Sequence, residues 1–511
     1  MRHGQFILAF VLLGILPLRA QVAKEGSPVS WNLPALGFPI YREPIDALPL
    51  HDLYQEDNES IGLKTESFRF ASAVAVDFST AHHGTWRNLP NGDRIWVLAM
   101  ECPNALALSV EFAHLDIPEG GTVYLYNPDR SDFAGPFTDA HRRIRAITGT
   151  APIRGRSLVV EYYEPFSQRG RGELVISSVA RSYRPVNSIP AMPGNDCAEV
   201  LTGDHQGLSD AVLLLLTDHA QRAMTGTLVN NTRYDGEPYV ITALQGLAGD
   251  PSSLVFVHGV KGGCPDDEVC WDRFVSGAEL MFEDNPTGIA LLRLLQAPGT
   301  SWKSYVAGWS TEDPGLGWYS TIQHAYAAPQ TVARVFTTPT MGDGSFSHML
   351  KVNGWNMGNT FTGSLGSPLF NPRGQLIGIF SDGESSCLQA SGDFFCSFSQ
   401  AWSWLEPFLD PIEGNNANIA GFYPAFDLSP DSRSPEEALI LFPNPASDVV
   451  RIQNESDESI ARVELLDSAG RVMRSWDGGV PVFSLDDVAP GHYVMLIYQS
   501  SLVSRKQLIV R

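Results

Sequence analysis

The sequence predicts a mainly β protein, and three observations lead there. Short runs alternate apolar and polar side chains with period two, as in Arg94-Ile95-Trp96-Val97-Leu98, Ala107-Leu108-Ser109-Val110-Glu111-Phe112 and Thr122-Val123-Tyr124-Leu125-Tyr126. Turn signals such as Pro90-Asn91-Gly92 and Pro118-Glu119-Gly120-Gly121 separate them. The composition agrees, with 46 Gly, 35 Pro, 43% hydrophobic and 18% charged residues, a globular and turn-rich profile. At 511 residues the chain exceeds one compact core and divides into several domains.

Residues 1–20 read as a signal peptide. Arg2 and His3 precede an apolar run from Phe6 to Leu18, too short to span a bilayer, and the run ends at Ala20 before Gln21. No later run reaches the roughly 18 apolar residues a membrane helix needs, so no integral membrane segment is expected after signal removal. The charge balance is acidic: 57 Asp+Glu against 35 Lys+Arg, net −22, with no basic stripe. Such a surface repels phosphate backbones and argues against nucleic acid as a partner. Six cysteines, at 102, 197, 264, 270, 387 and 396, are compatible with disulfides in an exported chain. None forms a CxxC pair or has a His at ligand spacing, so no metal and no cofactor is expected.

The first mature region, residues 21–190, has the strand pattern of a β-sandwich or jelly roll. The second, 195–410, contains Thr225-Gly226-Thr227-Leu228-Val229, Tyr239-Val240-Ile241-Thr242-Ala243, Gly288-Ile289-Ala290-Leu291-Leu292 and Val306-Ala307-Gly308-Trp309. It continues through Gly363-Ser364-Leu365-Gly366-Ser367-Pro368 and Gly374-Gln375-Leu376-Ile377-Gly378-Ile379. A linker near 411–436, rich in Pro, Asn, Asp, Ser and Glu, leads to a third region, 437–511, whose short strands suggest a small Ig-like β-sandwich.

In order and spacing, the second region resembles the chymotrypsin-type serine proteases of the bacterial lysyl endopeptidase branch, which implies a double β-barrel. The first region is similar to the β-rich part that precedes the protease domain in such proteins, on Gly84-Thr85-Trp86, Trp96, Tyr124-Leu125-Tyr126 and Val159-Val160-Glu161-Tyr162. The resemblance assigns catalytic positions one by one. The family's His follows a Thr-Ala strand end, where Gln245 stands here. Its Asp opens Asp-x-x-Leu-Leu, where Gly288 stands, and its nucleophile lies in Gly-x-Ser-Gly-x-Pro, where Leu365 stands.

Those three residue types cannot run acyl transfer. The triad needs a hydroxyl nucleophile, an imidazole to take its proton and a carboxylate to orient that imidazole. Gln245 does not titrate near neutrality, Leu365 has no nucleophilic atom and Gly288 has no side chain. Triad removal costs roughly 10⁶ in kcat. Ser364 and Ser367 flank the nucleophile position but point away from the cleft. His219, His258, His324 and His348 are surface or core histidines. Thr80-Ala81-His82-His83-Gly84 imitates the protease His motif and reads as a solvated turn.

Some of the family pattern persists. Gly363 lies where the family builds its oxyanion hole from backbone amides. Asp393 matches the acidic residue that confers lysine specificity, with a loop Asp in an acid-rich protein as the other reading. Cys197 and Cys387 match a family disulfide pair, whereas Met224 and Gly246 stand where a second pair is lost together. Cys264 and Cys270 bracket Asp266-Asp267-Glu268 and are placed to close that loop locally. The third region resembles a type A sorting domain of type IX secretion, on Pro443-Asn444-Pro445, Gly470-Arg471 and Gly491-His492-Tyr493. That implies the type IX secretion machinery as a partner and a secreted or outer-surface location. The functional expectation is a peptide- or protein-binding protease homologue without a triad. The alternatives are an active lysyl-type endopeptidase using other residues, and a purely structural surface protein.

Overall fold

The computed structural model describes residues 26–33, 42–60, 63–139, 148–184, 197–201, 206–260, 273–284, 286–299, 302–312, 315–389, 392–412, 416–424, 439–442, 446–447, 449–454, 460–466, 472–477, 482–499 and 503–510. The segment read as a signal peptide, most of the linker, and Cys264 and Cys270 with their acidic loop lie outside the described residues. Among the described residues, no helix is long and apolar enough to cross a membrane.

The fold is mainly β, as the alternation predicts. In the first region, among the described residues, a six-stranded sheet faces a four-stranded one. The first is centred on Arg94–Glu101, Ser157–Glu164 and Thr122–Tyr126, the second on Glu173–Ser182 between Ala71–Ser79 and Ala107–Asp116. Their inward residues, among them Trp96, Leu98, Val110, Phe112, Val160 and Ile176, form a common core. Each strand hides alternate residues between the sheets, which is why period-two runs settle here.

The second region is built on two larger sheets, of eight and ten strands among the described residues. The eight-stranded sheet has Arg222–Val229 between Val212–Thr217 and Tyr239–Ala243, the latter paired with Ile289–Leu294. The ten-stranded sheet runs through Tyr319–Gln323, Pro368–Phe370, Leu376–Gly383 and Asp393–Ser397. These sheets enclose a second core that includes Leu215, Met224, Val240, Leu291, Leu365 and Ile379. The helix Phe398–Leu409 closes it by burying Phe398, Ala401, Leu405 and Leu409, a spacing that keeps one face inward. Among the described residues, the third region has a three-stranded and a four-stranded sheet around Val450, Val463, Phe483, Met495 and Leu508.

One element departs from a strand-by-strand division of the chain. The short strand Phe68–Arg69, between the first sandwich's strand Arg42–Pro44 and the rest of its strands, adds itself to the eight-stranded sheet of the second region. It pairs antiparallel with the start of Arg222–Val229, Phe68 opposite Ala223 and Arg69 opposite Arg222. The exposed edge of that strand end is thereby covered by the chain's own backbone. The first core also crosses between the two regions, since Phe70 and Val110 share it with Leu214, Val255 and Tyr326.

Candidate functional site

The residues expected at the catalytic positions come together where the two large sheets meet. Gln245 lies in a short turn of helix, Leu244–Gly246, directly after the strand Tyr239–Ala243. Its Nε2 donates to the Ser381 carbonyl and to Ser381 Oγ, both at 2.7 Å. Both amide hydrogens are therefore spent on the opposite sheet. Gly288 lies beside it: a Cβ there would stand 3.4 Å from Gln245 Oε1 and 3.1 Å from Cys396 Sγ. Gly288 has φ of +73°, a left-handed conformation that glycine takes without the Cβ clash.

Leu365 has no exposed surface at all. Its backbone carbonyl accepts from Thr225 N at 2.9 Å. Its side chain, with Met224, fills the space over Gly246: a Cβ on Gly246 would come within 2.7 Å of Leu365 Cδ2, Met224 Cε and Met224 Sδ. Met224 and Gly246, the two positions read as a lost cysteine pair, lie side by side, and the Leu365 and Met224 side chains fill the space over Gly246. The flanking hydroxyls are committed elsewhere. Ser364 Oγ accepts from Phe361 N at 2.8 Å, and Ser367 Oγ accepts from Thr321 Oγ1 at 3.1 Å. Gly363 has φ of +90°, and its carbonyl accepts from Thr225 Oγ1 at 3.4 Å.

The histidines take structural places. His324 is fully buried, with Nδ1 3.0 Å from the Ala328 carbonyl, and burial pushes its pKa down to about 4. His258 is buried against Trp302, with Nε2 3.0 Å from the Asp210 carbonyl. His219 contacts Glu111 of the first sandwich. His82 and His83 lie in the turn between Ala71–Ser79 and Thr85–Asn88.

Asp393 opens the strand Asp393–Ser397 and is completely buried. Its carboxylate is densely met. Oδ2 accepts from Trp355 Nε1 at 2.7 Å, Thr360 Oγ1 at 2.6 Å and Ser385 Oγ at 2.6 Å. Gly383 makes room for it, since a Cβ there would fall 1.9 Å from Asp393 Oδ1. A buried carboxylate needs a cation or several donors to offset lost hydration. Here it has both, because Lys64 enters from the first region. Lys64 Nζ donates to Ser385 O at 2.6 Å, Thr360 Oγ1 at 2.7 Å and Ser385 Oγ at 2.8 Å, and lies 3.4 Å from Asp393 Oδ1. Burial pulls the Lys64 pKa below its ordinary value, and the neighbouring Asp393 opposes that pull.

The Cys197–Cys387 disulfide implied by the resemblance is formed, with Cα atoms 5.5 Å apart. It ties the start of the second region to the loop that carries Ser385. Lys64, Trp355, Thr360, Ser381 and Ser385 were not legible as site residues from sequence. Ser385 lies between two recognised landmarks, Leu376-Ile377-Gly378-Ile379 and Asp393, and is the one that spacing alone could have suggested.

The comparisons with known proteins agree with the two resemblances read from the sequence. Residues 195–396 match the family model of the lysyl endopeptidase C-terminal domain. Residues 440–511 match that of the secretion system C-terminal sorting domain. Among solved structures, a serine endoprotease from Yersinia pestis matches at 15% identity, covering 61% of this chain and 98% of its own, with a TM-score of 0.30. With a sorting domain of the type IX secretion kind at its C-terminus, the chain is exported to the cell surface or beyond. The chain thus carries a lysyl endopeptidase-like region ahead of a secretion sorting domain.

Proposed function

We propose that this protein is a pseudoprotease: a lysine-recognising binding protein that does not cleave what it holds. The observation that carries this reading is Leu365. A nucleophile must present its reactive atom to the substrate, and the residue at that position is an alkyl side chain with no exposed surface, packed over Gly246. Gln245 supports the same reading, because an amide whose hydrogens are both given to Ser381 has no basic atom to offer. Gly288 contributes no carboxylate. The flanking Ser364 and Ser367 are buried and hydrogen-bonded, and so do not replace the nucleophile.

The recognition half of the site supports binding. Asp393 is held by Trp355, Thr360 and Ser385 in a form suited to an ammonium group at the end of an unbranched chain. Catalysis and recognition draw on different residues, so one is lost without the other. The test is hydrolysis of lysyl and arginyl esters by the purified exported protein. Turnover should equal a buffer blank; hydrolysis above it, abolished by a serine-directed covalent inhibitor, would overturn the reading.

A further inference from the structure

We propose that Lys64 is the resident ligand of the Asp393 pocket, so that the chain keeps its own lysine site plugged and external lysine side chains enter only when this segment withdraws. The inference rests on the reading of that pocket as a lysine site.

The local geometry is that of a single side chain turned inward from a surface segment. Leu63 is 48% exposed and Thr65 and Glu66 are exposed, yet Lys64 between them is 6% exposed. An ammonium has three hydrogens, and three oxygens lie within 2.8 Å of Nζ: Ser385 O, Thr360 Oγ1 and Ser385 Oγ. The two hydroxyls accept from the ammonium and stand within 2.6 Å of Asp393 Oδ2. They thus connect the cation to the carboxylate, which itself lies 3.4 Å from Nζ. A planar guanidinium has no equivalent way to meet two hydroxyls and a carbonyl converging on one point.

Past a turn at Lys64-Thr65, the chain is held against the sheet from Ser67 to Phe70. Ser67 O accepts from Arg222 Nη1 at 3.0 Å, Phe68–Arg69 pairs with the strand Arg222–Val229, and Phe70 N donates to Gln221 O at 2.9 Å. Phe68 Cβ comes within 3.4 Å of where a Cβ on Gly363 would stand. The Phe68 ring packs edge-on against Tyr326, 5.4 Å between centroids. Backbone pairing on a sheet edge together with one side chain in a pocket is how extended peptides are recognised. Here the peptide is covalently part of the same chain, so its effective concentration is of millimolar order or above and a free competitor must exceed that.

The test compares the full exported chain with Lys64→Ala and with Lys64→Ala/Asp393→Asn, reading thermal midpoints with and without n-propylammonium, the group that substitution deletes. Wild type should not respond. Lys64→Ala should melt lower and be raised again by propylammonium, and the double variant should not be raised. An equal rise in midpoint for wild type and Lys64→Ala would overturn the plug while leaving the lysine pocket standing. A folded Lys64→Ala that ignores propylammonium would overturn the pocket reading, and the plug with it. Amine acetylation of wild type followed by mass spectrometry needs no variant. Lys64 should be strongly protected relative to the exposed Lys303, and equal labelling would overturn the plug.

Discussion

Leu365 and Gly246 are shaped to one another: any Cβ on Gly246 would lie 2.7 Å from Leu365 Cδ2, well inside contact distance. The leucine occupies the space that a side chain at 246 would fill. Gly246→Ala should therefore destabilise by about 1–3 kcal/mol through overpacking. Combined with Leu365→Ala it should cost much less than the sum of the single changes. Urea unfolding of the four proteins in this cycle measures the coupling, and additive costs would contradict the packing argument.

Leu365→Ser is expected to leave the protein inactive and less stable. Removing a fully buried leucine from this core costs at least the range for Leu→Ala, about 2–5 kcal/mol. The new hydroxyl would have no imidazole to take its proton, since Gln245 is an amide and does not titrate near neutrality. Gly288→Asp adds a side chain where φ is +73° and Cys396 Sγ lies 3.1 Å from the Cβ position. It should cost about 1 kcal/mol or more on its own. Burst kinetics with an activated lysyl ester check the first variant, and denaturation midpoints check both.

The fold was legible in the sequence wherever one strand carried its own pattern. Thr122–Tyr126 and Tyr239–Ala243 coincide with runs read as strands, short and rich in β-branched and aromatic residues, and both are buried over all but their first residue. The proposed assignment of Gln245, Gly288 and Leu365 to the catalytic positions rests on the motif that surrounds each of them in sequence. What held the site together was not legible. Lys64 and Asp393 are 329 residues apart, and no local periodicity marks a side chain whose partner lies on a distant strand. The fit of Leu365 to Met224 and Gly246 depends on shape in three dimensions, which no local pattern in the sequence records.

His324 should make the protein acid-sensitive over a defined window. Its pKa falls from 6.5 to about 4 because burial disfavours the charged ring. The unfolded chain therefore binds a proton that the folded one refuses between these values. Stability should fall as pH drops from about 6.5 to 4, by about 3 kcal/mol from this residue, and level off below. His324→Gln should be less stable at pH 7, since the contact of Nδ1 with the Ala328 carbonyl is lost, but flatter across that window. Denaturation at several pH values reads the two slopes, and parallel curves would remove His324 as the cause.

The Cys197–Cys387 disulfide joins residues 190 positions apart and anchors the loop that supplies Ser385 to the pocket. Cross-linking a long loop limits the unfolded chain more than the folded one, so its loss should cost about 2–5 kcal/mol. The effect should also be local. Ser385 gives Lys64 two of its oxygen partners, its carbonyl and its hydroxyl, and lies two residues before Cys387. In Cys197→Ser/Cys387→Ser the loop is released at that end, and protection of Lys64 from amine acetylation should fall by more than that of Lys351, which lies on a neighbouring strand. Reduction of the native protein should produce the same pattern. A uniform loss of protection across lysines would mean that the bond supports only global stability.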